Sequence, residues 1–281
     1  FSPTIFMIII IVLFSRQVYY TIIVQGRGCF KADKIIFLTS NSIWFAFSHI
    51  AFSLNSSIDN SETYLYQDIG YTQSKWVAEK LVWIAKSRGI PVTVIRSGFL
   101  MGHLHTGVTN TDDYISRLIK GCIQIGSFPY LVKQKQDLIT VDYASKAIVQ
   151  ISKRKESLGK SFHLVPLASQ NIDLTRLFEM ISIFGYQLRK VPYDQWTNDL
   201  INQARYSQKN PLFPLIPMLT EKVYQGMTAW QLYQNTPDLD CRNTLEAIAD
   251  TSIYPPSINT ELISKYLAYF QRIGFLNMEF V

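Results

Sequence analysis

The chain has 281 residues, of which 48% are apolar, 14% aromatic and only 17% charged, against a usual charged share of about 25%. At about 100–200 residues per domain it holds one large domain or two small ones with ample material for a core, which excludes a disordered or tail-like protein. Lys and Arg total 27 and Asp and Glu 21, a net +6 spread along the chain without long runs of one sign; this reads as a solvated basic surface and gives no nucleic-acid footprint.

The first element is an apolar run at residues 5–14 (IFMIIIIVLF), followed by a second at 18–24. Each is far shorter than the about 20 residues a membrane span requires. Joined into one span they would set Arg16 near mid-bilayer, at a cost of about 2.5–3.5 kcal/mol. The first run has no basic leader and no small-residue cleavage site. A buried β-branched strand is the mundane reading, at least one of the two runs is expected to lie against the strand that follows, as strand or helix, and a membrane role is disfavoured. Residues 26–31 (GRGCFK) precede a strand and read as a turn. The cysteines Cys29, Cys122 and Cys241 are odd in number, far apart and without a CxxC, which excludes a disulfide framework and a zinc ribbon and points to a reducing, cytoplasmic compartment.

From Lys34 the pattern becomes regular. Residues 34–42 (KIIFLTSNS) are an apolar strand that breaks into hydroxyl residues, and 55–68 form a polar loop. Residues 71–89 have Trp76, Val77, Leu81, Ile84 and Ala85 at helical spacing and Gly89 as the stop; 90–99 (IPVTVIRSGF) are the next strand. Strand, loop, helix and strand make an α/β crossover on a parallel sheet. Helices are expected at 112–126, 141–153, 173–186 and 260–273, a strand at 161–166, and a proline-punctuated linker at 210–217.

Tyr71 and Lys75 lie four apart near the start of the first helix, on one face. An ammonium beside a phenol favours phenolate and lowers its pKa from about 10, which suits a proton donor near neutral pH. A hydroxyl at the preceding strand's end, Ser40, could hydrogen-bond a substrate carbonyl oxygen. The bland alternative makes Ser40 and Ser42 a strand terminus and Tyr71 a surface aromatic. The spacing alone is weak, for Tyr186 and Lys190 repeat it after Gly185, where a structural role is expected. His49, His103, His105 and His163 show no metal-ligand spacing. His103 and His105 read as a solvated loop pair, and Asp112 and Asp113 as helix-capping residues.

The block GYTQSKWVAEKLV (70–82) resembles the signature of thioester reductase domains, extended short-chain dehydrogenase/reductase folds that terminate nonribosomal peptide and polyketide synthetases. Residues 96–129, 137–152, 162–166 and 184–196 resemble the family's later blocks in order, so the resemblance runs from about Lys34 to Leu276. It implies a partial Rossmann-like parallel sheet with a smaller, mainly helical C-terminal substrate lobe. The expected division is an atypical apolar segment at 1–33, an incomplete NAD(P)-binding part at 34–164, and a substrate and carrier-docking lobe at 165–281. It also implies NADPH as cofactor, a phosphopantetheinyl carrier protein as partner, Tyr71 and Lys75 as catalytic pair, and Ser97 and Gly98 beside the nicotinamide. Tyr71 and Lys75 would contact the cofactor as well. No metal is implied.

Three departures stand out. Ser40 replaces the family's catalytic Thr, and Ser97 replaces the Pro of its R-P-G motif. No GxxGxxG occurs, the nearest match being Gly26–Lys31, so the phosphate-cradling half of the cofactor domain is expected to be missing, as in an N-terminally truncated reductase. Two rival readings follow: an inactive fragment of a broken synthetase gene, and a fatty-acyl reductase acting on acyl-CoA.

Overall fold

The structure, a computed structural model, describes residues 6–13, 19–26, 32–40, 70–131, 134–206, 209–224, 226–232 and 238–277. The chain forms two compact units that interleave in sequence. One comprises Phe1–Gly98, Tyr143–Val165 and Asp238–Tyr254, the other Phe99–Asp142, Pro166–Pro237 and Pro255–Val281. The linear division after residue 164 and this interleaved one differ over 99–142, at 165 and over 238–254.

The first unit is built on a five-stranded sheet. Strands β1 (Phe6–Leu13) and β2 (Tyr19–Gly26) form an antiparallel hairpin, and β2 lies antiparallel to β3 (Ala32–Ser40). The second apolar N-terminal run thus pairs with β3 and the first pairs with the second, in keeping with their β-branched content. Helix α1 (Gly70–Ser87) leads to β4 (Val92–Ser97), parallel to β3. The helix ends at Gly89, whose φ of +85° suits glycine and whose N–H bonds the Lys86 carbonyl at 2.9 Å. Phe37, Val82, Val92 and Val94 form the core between α1 and the sheet, with Ala78 and Trp83 against it.

In chain order the remaining elements are β5 (Phe99–Met101), α2 (Tyr114–Ile125), β6 (Ser127–Tyr130), β7 (Leu138–Thr140), α3 (Val141–Lys153), β8 (Ser161–Leu164), α4 (Leu174–Phe184), β9 (Arg189–Pro192), α5 (Tyr193–Tyr206), α6 (Ile216–Thr220), β10 (Lys222–Tyr224), β11 (Met227–Thr228), α7 (Ala229–Leu232), α8 (Arg242–Ile248) and α9 (Thr260–Arg272). Strand β8 extends the first unit's sheet, parallel to β4, and α8 packs on it through the Thr244 hydroxyl, which donates to the His163 carbonyl at 2.7 Å.

The second unit joins short parallel pairs, β5 with β7 and β6 with β9, to helices around an aromatic core. Phe128 stacks on Phe178 at 4.8 Å, and fully buried Trp196 lies 5.4 Å from Trp230. Three of its helices, α2, α4 and α9, start at side-chain caps. Asp113 accepts from Ser116 N at 2.7 Å, Asp173 from Arg176 N at 2.7 Å, and Asn259 from Leu262 N at 2.9 Å.

One expectation needs correction. Residues 210–217 are not a linker: Asn210 and Leu212 are buried, and Pro217 sits in the first turn of α6, where its missing N–H costs nothing. On α1, Trp76 is buried but Val77, Leu81 and Ile84 are exposed; the inward positions belong to Lys75, Trp76, Glu79 and Val82. Apolar spacing marks a helix there without marking its buried face, because two inward positions are charged. Cys29, His49, the turn expected at 27–31, the strand tail at Asn41 and Ser42, and the 55–68 loop lie outside the described residues. Among the described residues no helix is long and apolar enough to cross a membrane.

Candidate active site

The site expected from sequence falls entirely within the first unit. Strands β3 and β4 finish flush, with Thr39 beside Arg96 and Ser40 beside Ser97. The carboxyl ends of parallel strands are where open α/β sheets take ligands. The Ser97 hydroxyl lies 3.4 Å from the Thr39 carbonyl, and Gly98 N donates to Leu164 O at 2.9 Å, which ties the end of β4 to β8.

Contacts along α1 show how the helix meets that edge. Lys86 Nζ donates to the Gly159 carbonyl at 2.9 Å, and Gly159 N bonds the Val92 carbonyl at the start of β4. Val82 packs against Val92 and Val94, and Glu79 reaches Arg96. The helix therefore runs antiparallel to β4, and Lys75, one turn before Glu79, lies level with the strand end. Tyr71, one turn earlier on the same face, lies beyond it. The backbone thus brings Ser40, Tyr71, Lys75, Ser97 and Gly98 to one edge of one unit.

Lys75 is only 3% exposed, and burial lowers its pKa to about 8. It remains largely an ammonium at pH 7, the form that pulls a neighbouring phenol toward ionisation. The Thr39 hydroxyl is 6% exposed, and among the described residues its Oγ1 has no hydrogen-bond partner. An orphaned hydroxyl and a buried amine at the strand ends fit a polar ligand such as a nicotinamide ribose. Among the described residues no set of His, Cys, Asp and Glu is gathered to hold a metal ion.

A buried charged network beside this edge is absent from the sequence reading. Arg96 Nε donates to Glu79 Oε2 at 3.1 Å, Arg96 Nη2 pairs with Glu79 Oε1, and Arg96 Nη1 lies 3.1 Å from His163 Nε2. All three residues are at most 3% exposed. A guanidinium can only donate, so His163 Nε2 is the unprotonated ring nitrogen and Nδ1 carries the proton. Burial, and then the Arg96 charge, lower the His163 pKa to about 3. Trp83 Nε1 adds a bond to Glu79 Oε1 at 3.0 Å. The available sequence signal was Glu79 itself, four residues after Lys75 on the same helix face; nothing in sequence pairs it with Arg96.

Other candidates take structural places. Tyr186 is buried, its hydroxyl donating to the Asn277 carbonyl at 3.0 Å and receiving Gln271 Nε2 at 3.0 Å, while Lys190 lies over the Tyr130 ring. His103 Nδ1 accepts from the backbone N–H of His105 at 3.2 Å and of Thr106 at 3.3 Å, closing its own loop. Asp113 caps α2, and Asp112 pairs with Arg117 at 3.3 Å. Cys122 and Cys241 are free thiols.

Residues 52–148 match the family model NAD_binding_4, described as Male sterility protein. The aldehyde reductase lnaA of Aspergillus flavus is 38% identical over 215 residues, covering 73% of this chain and 20% of that protein. The non-canonical nonribosomal peptide synthetase FrzA of Cladobotryum sp. is 38% identical over 219 residues, covering 75% and 21%. The chain thus spans about a fifth of the length of these curated relatives. Among solved structures, the terminal R domain from the myxalamid PKS-NRPS biosynthetic pathway is 34% identical with a TM-score of 0.75, covering 88% of this chain and 60% of that one.

Proposed function

Because the chain belongs to the terminal reductase domains of nonribosomal peptide and polyketide synthetases, in the extended short-chain dehydrogenase/reductase superfamily, we propose that it carries the proton-donating part of a centre that reductively releases a carrier-bound acyl or peptidyl thioester as aldehyde or alcohol. The observation that supports this reading is a buried lysine, Lys75, on the helix that links the flush-ended parallel strands β3 and β4.

In this reading Ser40 and Tyr71 receive the thioester carbonyl oxygen and share the negative charge that develops on it. Tyr71 gives up its phenolic proton to that oxygen. Lys75, held as an ammonium, lowers the cost of ionising Tyr71. The hemithioacetal then collapses and the pantetheine thiolate leaves. The nicotinamide cofactor, proposed as NADPH, supplies the hydride when bound. Tyr71, Lys75, Ser97 and Gly98 are the residues of this chain that would hold it. The sequence contains no Gly-rich turn of the kind that cradles a pyrophosphate at a helix N-terminus.

The proposed partner is a phosphopantetheinyl carrier protein bearing the acyl or peptidyl chain, with the segment from Val165 onward receiving substrate and carrier. Free thiols at Cys122 and Cys241 suit a cytoplasmic setting. The test is NADPH oxidation by the protein that contains this chain, offered a carrier-bound thioester and the matching acyl-CoA in parallel. Faster turnover of the carrier-bound substrate supports the reading, and preference for free acyl-CoA makes it a fatty-acyl reductase. The missing Gly-rich turn favours a second reading, an inactive remnant, which would oxidise NADPH with neither substrate.

A further inference from the structure

We propose that Glu79, Arg96 and His163 are positioning residues that hold α1 in register with β4 and so keep Lys75 buried at the strand end. This inference rests on the reading of Tyr71 and Lys75 as the reducing centre. The three side chains come from three elements, α1, β4 and β8, so the network fixes both the rotation and the axial position of the helix. Glu79 is one turn from Lys75, and Arg96 immediately precedes Ser97 and Gly98. A displacement of this network would therefore be passed directly to both sides of the site.

Stability alone is a poor reason for such a network. Desolvating a buried ion pair offsets most of its attraction, and well-packed apolar side chains often do as well. What apolar side chains do not supply is direction. Arg96 uses Nε and Nη2 on the two oxygens of Glu79 and Nη1 on His163, so its planar fork has one arrangement that satisfies every partner. Trp83 holds Glu79 from the helix side, and Thr244 holds the His163 backbone.

The test compares the Glu79→Leu/Arg96→Leu double variant, His163→Leu and His163→Gln with the parent chain. Amine acylation of Lys75 is read by peptide mass spectrometry, with Lys86 on the same helix as internal reference, and thermal unfolding is followed alongside. The double variant is expected to stay folded, with Lys75 labelling about tenfold or more faster and Lys86 unchanged, the signature of a local loosening. His163→Leu is expected to move the same way, and His163→Gln, which keeps an acceptor for Arg96, to protect Lys75 as in the parent. In the active protein the double variant should lose up to about 10²-fold in kcat with little change in KM, the cost of a misplaced group. Unchanged Lys75 labelling in a folded double variant overturns the proposal, as does equal gain at Lys75 and Lys86, which marks a purely structural role. Labelling needs neither cofactor nor substrate, so its failure leaves the reductase reading standing, and failure of that reading leaves the labelling result intact.

Discussion

Lys75 and His163 are two bases that burial has pushed in the same direction, with opposite consequences at neutral pH. Lys75 titrates near 8 and is mainly charged at pH 7, whereas His163 titrates near 3 and is neutral. The first property suits a lysine that must lower a phenol's pKa; the second suits an acceptor for Arg96. Each also sets a pH dependence of stability. The folded His163 pKa lies below its ordinary 6.5, so between about 6.5 and 3 the unfolded chain binds more protons. Stability is then complete above 6.5 and falls as pH drops, by up to about 1.4 kcal/mol per pH unit. Thermal unfolding between pH 7 and 4 should show this slope in the parent chain and a shallower one in His163→Gln, which cannot titrate. Equal slopes would remove His163 from the account. Lys75 acts likewise at higher pH: between about 8 and its ordinary 10.5 the unfolded chain holds the extra proton, so stability rises with pH.

At the scale of elements, the helix signals that proved readable are those with local causes. Asp113 and Asp173 cap α2 and α4, and Gly126 closes α2 at φ +74°. Replacing Asp113 by Ala should cost about 1 kcal/mol of unfolding free energy by denaturant titration, the usual worth of a side-chain cap. Gly102 serves differently. A Cβ there would lie 2.5 Å from the Val108 carbonyl oxygen, a backbone atom that cannot swing aside, in a stretch where the Tyr266 hydroxyl donates to the Gly102 carbonyl at 2.8 Å. Gly102→Ala should destabilise by about 1–3 kcal/mol, a loss that the same titration reads. The inward face of α1 was not readable. Its exposed Val77, Leu81 and Ile84 carry the apolar spacing, while Lys75 and Glu79 turn inward, Glu79 toward Arg96 far along the sequence. Asn210–Pro217 misled for a similar reason: prolines signal a break in sequence, yet Pro217 begins a helix and Leu212 fills the core.

At the scale of the whole molecule, strand order in the β3–α1–β4 crossover was legible because it follows from local alternation of strand and helix. The interleaving of the two units was not, since it depends on contacts between segments far apart in sequence, such as β4 with β8 and β6 with β9. Of the proposed site, Ser40, Tyr71 and Lys75 were singled out by the strand end and the helix spacing, and Ser97 and Gly98 by the family resemblance alone. The Glu79–Arg96–His163 network around them joins residues of no local pattern. In the sheet, β2 occupies the edge of β3 as an antiparallel strand, and no Gly-rich turn precedes α1 in these 281 residues. The isolated chain is accordingly expected to bind NADPH only weakly, above the micromolar range by fluorescence titration; sub-micromolar binding would show that the pyrophosphate has a cradle the sequence does not reveal.

The centre itself is tested most directly by comparing Tyr71→Phe with Tyr186→Phe in the active protein that contains this chain, following NADPH oxidation with a carrier-bound thioester. Both tyrosines precede a lysine by four residues, but Tyr71 is the proposed proton donor, whereas the Tyr186 hydroxyl is committed to Asn277 and Gln271. Loss of a general acid should lower kcat of Tyr71→Phe by about 10²–10⁴-fold, while Tyr186→Phe keeps the parent rate. Equal losses in the two variants, or no loss in Tyr71→Phe, would contradict the assignment.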